Sequence, residues 1–167
     1  MPEPINSDRL IIRQLQASDD QFIYQLLNSP GWLQYIGDRG VNDCEDAQRY
    51  IQNIRLGYDL QPLGLSAVVD SSAQQAIGLC GFLQRDYLPG PDIGYALLPS
   101  AEGKGYALEM TQAMINTYKK SNPTQILFAQ VKPNNVRSIA LLNKLGFSQS
   151  EKDYQLADTL VFQLKPD

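Results

Sequence analysis

The sequence predicts a mixed α/β (α+β) domain, and three observations carry the prediction. Helical and strand-like segments alternate in the order β-α-α-β-β-β-α-β-α-β-β. A chain of 167 residues has room for one substantial core, so residues 1–167 read as a single domain. The third observation is the segment 92–109, DIGYALLPSAEGKGYALE, where a β-prone strand leads through a short loop into a glycine-rich helix start.

Each element has a local reason. Leu10 to Leu15 is a short β-prone run. Ser18 followed three positions on by Gln21 has capping-box form, and Phe22, Leu26 and Leu27 recur at helical spacing until Pro30 ends the helix. Gly31 to Gly40, rich in glycine and large aromatics, reads as a loop. Asn42 with Glu45 repeats the capping signal, and Ala47, Tyr50, Ile51, Ile54 and Leu56 supply a second amphipathic helix. Leu63 to Val69 and Ala76 to Arg85 form a hairpin about the polar turn Asp70-Ser71-Ser72. The strand from Asp92 alternates Ile93, Tyr95 and Leu97, and its helix runs to about Lys120. Gln125 to Val131 is another apolar strand. The next helix runs from the Pro133-Asn134-Asn135 turn through Leu145, with Gly146 placed as its C-terminal glycine. Phe147 to Lys152 and Thr159 to Leu164 are the last strands.

Composition narrows the function. With 43% apolar and 19% charged residues, the chain has the balance of a soluble globular protein. A net charge of −4 argues against a nucleic-acid binder, whose affinity rests on neutralising phosphates, and suits a cationic substrate such as an amine. The absence of histidine excludes a Ser-His-Asp or Cys-His nucleophile and a His-ligated zinc, and no metal is expected. Cys44 and Cys80, without a CxxC, read as reduced thiols of a cytoplasmic protein. No basic-then-apolar leader opens the chain and no apolar run approaches the roughly 20 residues that span a bilayer, so no membrane partner is expected.

The glycines of 103–107, Gly103-Lys104-Gly105-Tyr106-Ala107, stand where a helix's first N–H groups have no intrahelical partner and meet the positive end of the macrodipole. Bare backbone there suits an anion, most simply a pyrophosphate. A dinucleotide fingerprint fails because Leu108 occupies its third glycine position and no βαβ unit opens the chain. A P-loop fails on spacing and on the missing Ser or Thr after Lys104.

Two motifs at strand-to-helix junctions then carry a family resemblance. Glu102-Gly103-Lys104-Gly105-Tyr106-Ala107 resembles the Gln/Arg-x-x-Gly-x-Gly/Ala signature of the GNAT acetyltransferase superfamily, with a variant first residue. Asn135-Val136-Arg137-Ser138, followed by Leu141 to Phe147, resembles its second motif. Trp32 to Arg39 is similar to the substrate-side loop of the branch related to ribosomal-protein N-terminal (alanine) acetyltransferases. The resemblance implies a mostly antiparallel sheet of about seven strands with a central splayed parallel pair, Asp92–Leu98 beside Gln125–Val131, flanked by about four helices.

It also implies acetyl-CoA as co-substrate and a primary amine as acceptor, of a small molecule or a protein N-terminus, with attack in a ternary complex. A monomer or homodimer serves this chemistry. The pyrophosphate would lie on the N–H groups of Gly103, Lys104, Gly105, Tyr106 and Ala107. The pantetheine arm would pair like an added strand beside Tyr95, Leu97 and Leu98. A free N–H near Leu97 would face the thioester carbonyl. Lys104 either reaches a phosphate or is simply solvated, and Asn135 binds the arm, caps its helix, or does both.

Without histidine, the base must be a carboxylate, a tyrosine or a water chain; Asp92 is the first candidate, ahead of Asp38 and Glu45. The family's usual acid, a tyrosine, aligns with Leu142, which leaves Ser138 to assist the thiolate. Trp32, Tyr35 and Asp38 are the substrate-side candidates; Trp32, Tyr35, Tyr50 and Tyr87 line a cleft or belong to the core. Glu102 would repel a pyrophosphate, so its side chain is expected in solvent. The alternatives are another acyl-CoA, or a non-catalytic CoA-binding or regulatory module.

Overall fold

The computed structural model describes residues 3–166. Eight strands form one sheet: β1 (Ile5–Asn6), β2 (Leu10–Arg13), β3 (Ser66–Asp70), β4 (Gln75–Leu83), β5 (Asp92–Leu97), β6 (Leu127–Val131), β7 (Ser148–Gln149) and β8 (Leu160–Leu164). Five α-helices flank it: α1 (Asp20–Leu27), α2 (Pro30–Tyr35), α3 (Cys44–Leu56), α4 (Tyr106–Ser121) and α5 (Val136–Lys144). The sheet order is β1-β2-β3-β4-β5-β6-β8-β7, and among the described residues only β5 and β6 pair in parallel.

The period-2 alternation of strand side chains divides the core between two faces. Ala67 and Leu79 pack against Ile23, Leu26, Trp32 and Ile51 of α1 to α3. Their sequence neighbours Val68 and Cys80 point the other way, onto Met110 and Met114 of α4 and Leu142 of α5. The parallel pair therefore lies inside a helix-sheet-helix sandwich, with its carboxyl ends leading toward α4 and α5. No helix among the described residues is long and apolar enough to cross a membrane.

Several local expectations are corrected. The helix start near Ser18 is organised by Asp19, whose carboxylate accepts the Gln16 N–H at 2.7 Å and the Arg13 guanidinium at 2.8 and 2.9 Å. A buried carboxylate already paired to a strand arginine outcompetes an exposed serine for the cap, and a 3-10 turn (Ala17–Asp19) precedes α1. The second cap moves one residue on. Asp43 caps the helix by accepting the Asp46 N–H at 2.8 Å, and Asp46 accepts the N–H of Asn42, the residue before the cap, at 2.9 Å. Part of the predicted loop 31–40 is helical, because Pro30 sits in the first turn of α2, where its missing N–H costs nothing. Gly146 has φ +88°, the left-handed conformation expected after a helix.

Candidate active site

β5 and β6 pair at Asp92 and Phe128, and beyond that register no further pairing joins them among the described residues. Two hydrogen bonds define which groups face the gap. The Leu98 N–H donates to Ile77 on the β4 side, whereas the Pro91 carbonyl accepts from the Phe128 N–H on the β6 side, each at 2.8 Å. Strand residues two apart aim their backbone groups at the same edge, so Ile93, Tyr95 and Leu97 turn theirs into the opening. The Leu97 N–H thus faces the gap.

A cavity of about 830 Å³ occupies this divergence. Tyr95, Leu97, Asn135 and Ser138 form part of its wall, and it reaches Gly103, Gly105, Tyr106 and Ala107 at one end and Trp32, Tyr35 and Asp92 elsewhere. Gly103 and Gly105 have φ of +75° and +80°, conformations that side-chain-bearing residues rarely adopt. A Cβ at Gly103 would meet nothing within 4 Å, so backbone conformation rather than crowding selects glycine there. The alternating left-handed turns bring the loop onto the amino end of α4, where unpaired N–H groups suit an anion.

The loop is held from a distance. Arg9, on the approach to β2, donates from Nη1 to the Lys104 carbonyl at 2.9 Å and from Nε to Glu109 at 2.7 Å. Its guanidinium lies 4.4 Å from the centre of the Tyr106 ring, and the Tyr106 hydroxyl donates to Asp70 at 2.9 Å. Ser7 and the Arg9 N–H both donate to the same Glu109 oxygen at 2.7 Å. None of this was legible in the sequence, because Arg9 and Glu109 are ordinary charged residues a hundred positions apart.

Among the predicted site residues, Asp92 is buried, accepting from Gln130 Nε2 at 2.9 Å and Arg85 Nε at 3.3 Å. Burial pushes its carboxyl above the ordinary value, although Gln130 and Arg85 pull the other way. Ser138 Oγ lies 2.5 Å from the Tyr95 hydroxyl. Burial raises the Tyr95 phenol to about 12, with the Ser138 bond pulling against it. Asn135 caps α5, its Oδ1 accepting the Ser138 N–H at 3.3 Å, and also faces the cavity. Trp32 is mostly core and donates its Nε1–H to the Gly37 carbonyl at 3.0 Å, while one side reaches the cavity.

Glu102 and Lys104 gain partners within the alternatives the sequence allowed, whereas Leu98 and Asp38 are corrected. Glu102 is exposed, as expected, but it also borders the cavity and pairs with Arg137 at 3.1 Å. Leu98 is absent from the cavity wall, because its N–H is spent on Ile77 and its side chain packs with the α1–α3 core. Lys104 is exposed and joins the cradle only through its main chain, whose carbonyl Arg9 holds. Asp38 stays on the surface and off the cavity wall, folded onto the Gly40 N–H at 2.8 Å. Leu142 is fully buried in the core, so no hydroxyl stands where the family's usual tyrosine would.

Comparison with known proteins agrees with this geometry. Residues 9–148 match the family model described as an acetyltransferase (GNAT) domain. An uncharacterized N-acetyltransferase, p20 of Bacillus licheniformis, is 31% identical over 171 residues, 97% of this chain and 96% of its own. The crystal structure of a ribosomal-protein-S5-alanine acetyltransferase from Vibrio fischeri superposes with a TM-score of 0.82 at 18% identity, covering 99% of this chain and 98% of that one. RimL, a ribosomal L7/L12 α-N-protein acetyltransferase solved in complex with coenzyme A, gives 0.73 at 17% identity over 99% of both chains. With the family model spanning most of its length, from the Arg9 clamp past the Gly146 turn, this chain belongs to the GNAT acetyltransferase family.

Proposed function

We propose that the protein moves an acetyl group from acetyl-CoA to a primary amine, of a small molecule or a protein N-terminus, by direct attack within a ternary complex. The observation that carries this reading is the divergence of β5 from β6 directly beside the positive-φ glycines 103 and 105. One end of the gap suits a pyrophosphate, and its β5 edge suits an extended amide-bearing arm. A structural neighbour named for coenzyme A in its complex supports the same ligand.

The residues divide the work. The amino end of α4, clamped by Arg9, receives the anionic part of acetyl-CoA. The Leu97 N–H receives the charge that develops on the thioester oxygen. Asp92, buried and raised, takes the proton from the acceptor amine. Trp32 and Tyr35 flank the acceptor, and holding the two reactants together supplies several kcal/mol of the barrier, about 7–11 in the best cases.

The fully buried Leu142 favours a second reading, a CoA-binding module without turnover. Thiol release from acetyl-CoA against a panel of amines, beside calorimetric CoA binding, separates the two. Turnover with an amine supports the transferase; binding without turnover on any amine overturns it in favour of the module. Gly105→Trp, which fills the cradle, should abolish both binding and turnover while the circular dichroism stays native. Retained binding would remove the pyrophosphate from this loop.

A further inference from the structure

We propose that Tyr95 and Ser138 form a two-hydroxyl proton relay, Ser138 delivering a proton to the departing thiolate and Tyr95 replacing it. The inference rests on the acetyl-transfer reading above and on Ser138 as the residue that assists the thiolate; what it adds is Tyr95 as the source of the proton that Ser138 delivers. The two oxygens are 2.5 Å apart, yet they come from opposite sides of the strand divergence, Tyr95 from β5 and Ser138 from the first turn of α5. Both side chains border the cavity.

Three features single this pair out. First, position 142 is a core leucine, so α5 offers no phenol of its own, and Tyr95 brings one to α5 from across the gap. Second, Asn135 satisfies the Ser138 N–H and fixes that turn, leaving the Ser138 hydroxyl to bond Tyr95. Third, Tyr95 lies two residues before Leu97 on the same edge, about 7 Å along the strand, so donor N–H and relay flank one stretch of the gap. Burial chiefly holds Tyr95 in its protonated form; the Cys80 sulfur of β4 and Asp92 of β5 face it and act in the same direction, and the Ser138 bond opposes.

The step balances. The amine lone pair forms the C–N bond as the C–S bond breaks and sulfur takes the electron pair. The Ser138 Oγ–H moves to sulfur and the Tyr95 O–H moves to Ser138 Oγ. The proton shed by the acceptor nitrogen, taken by Asp92, returns to the Tyr95 phenolate through solvent, and no net proton is consumed. Tyr95 is thus a positioning and relay residue acting through Ser138.

The test uses the full chain with acetyl-CoA and an amine it turns over. Tyr95→Phe keeps the ring but removes the proton, and should lower kcat about tenfold to hundredfold with CoA affinity unchanged within about twofold. A fluorinated tyrosine at position 95, which keeps the hydroxyl but makes it more acidic, should bring a high-pH fall in kcat into a range where the unmodified protein is flat. A purely structural hydroxyl would leave the shape of that profile unchanged. Wild-type kcat in Tyr95→Phe, or an unchanged profile in the fluorinated protein, overturns the relay while acetyl transfer stands. Failure of the unmodified protein to bind CoA or turn over any amine overturns both.

Discussion

The guanidinium of Arg9 donates to the main-chain carbonyl of Lys104 at 2.9 Å, across 95 positions of sequence, and so ties the amino-terminal strands to the glycine cradle. The two left-handed glycines of this loop have no side chains with which to hold it, and Arg9 supplies part of the hold from outside. Glu109, one turn into α4, completes the tie by binding both the Arg9 side chain and its N–H.

Arg9→Ala should therefore act on cofactor binding before chemistry. Arg9 is half exposed, so the expected loss is about tenfold in CoA affinity, near the lower end for a hydrogen bond to a charged group. Arg9→Lys, which cannot span Lys104 and Glu109 together, should fall with the alanine variant. Calorimetry with CoA checks this; unchanged affinity in both variants would show that the loop holds its shape unaided.

Glu102 and Arg137 make a contrasting prediction. A bare carboxylate about 4 Å from a phosphate costs about 4 kcal/mol at an effective dielectric near 20. The Arg137 guanidinium offsets that charge. Glu102→Gln frees Arg137 and should leave CoA affinity unchanged or raise it, with stability within about 0.5 kcal/mol because the pair is exposed. Arg137→Gln should weaken affinity, by leaving Glu102 unopposed. A large loss in Glu102→Gln alone would place the carboxylate in the binding contacts.

Asp92 predicts a pH dependence. Burial raises its carboxyl, so the folded protein holds this proton more tightly than the unfolded chain does. The contribution to stability is therefore present below the ordinary carboxylate value and is lost as pH rises through the raised one. The same window sets activity in the opposite sense, since a base must be ionised. kcat/KM should rise with a midpoint above about 3.9. Asp92→Asn should remove that limb and lower kcat about 10²- to 10⁴-fold. A pH–rate series on both proteins decides it, and an intact limb in the variant assigns the base elsewhere.

Trp32 and Tyr35 should separate structure from specificity. Trp32 is packed in the α1–α3 core, so Trp32→Ala should cost about 3–5 kcal/mol by thermal or denaturant unfolding. Tyr35 is half-buried and borders the cavity, so Tyr35→Ala should raise the acceptor KM several-fold with little change in stability. An unchanged acceptor KM would move the acceptor away from α2.

The alternation Ile93, Tyr95, Leu97 determined by itself that β5 is a strand with two chemically different faces, and the glycines at 103 and 105 announced a turn whose backbone needs positive φ. The motif Asn135 to Phe147 determined the second helix junction, down to the turn at Gly146. These are local properties, set by side-chain period and by allowed φ, and they survive being read one segment at a time. What a carboxylate or hydroxyl does is not local. The sequence left Asp92 undecided between solvent and burial, sent Glu102 to solvent, and left Ser138 without a partner.

Only the tertiary structure decided those matters. It set Gln130 and Arg85 on Asp92, Arg137 on Glu102 and Tyr95 on Ser138. It removed Leu98, Lys104 and Asp38 from the cavity wall, and it showed Arg9 gripping the cradle. The physical reason is distance. A charge or hydroxyl takes its role from whatever lies within about 3 Å, and for these residues that neighbour comes from another strand or helix, out of reach of any local pattern.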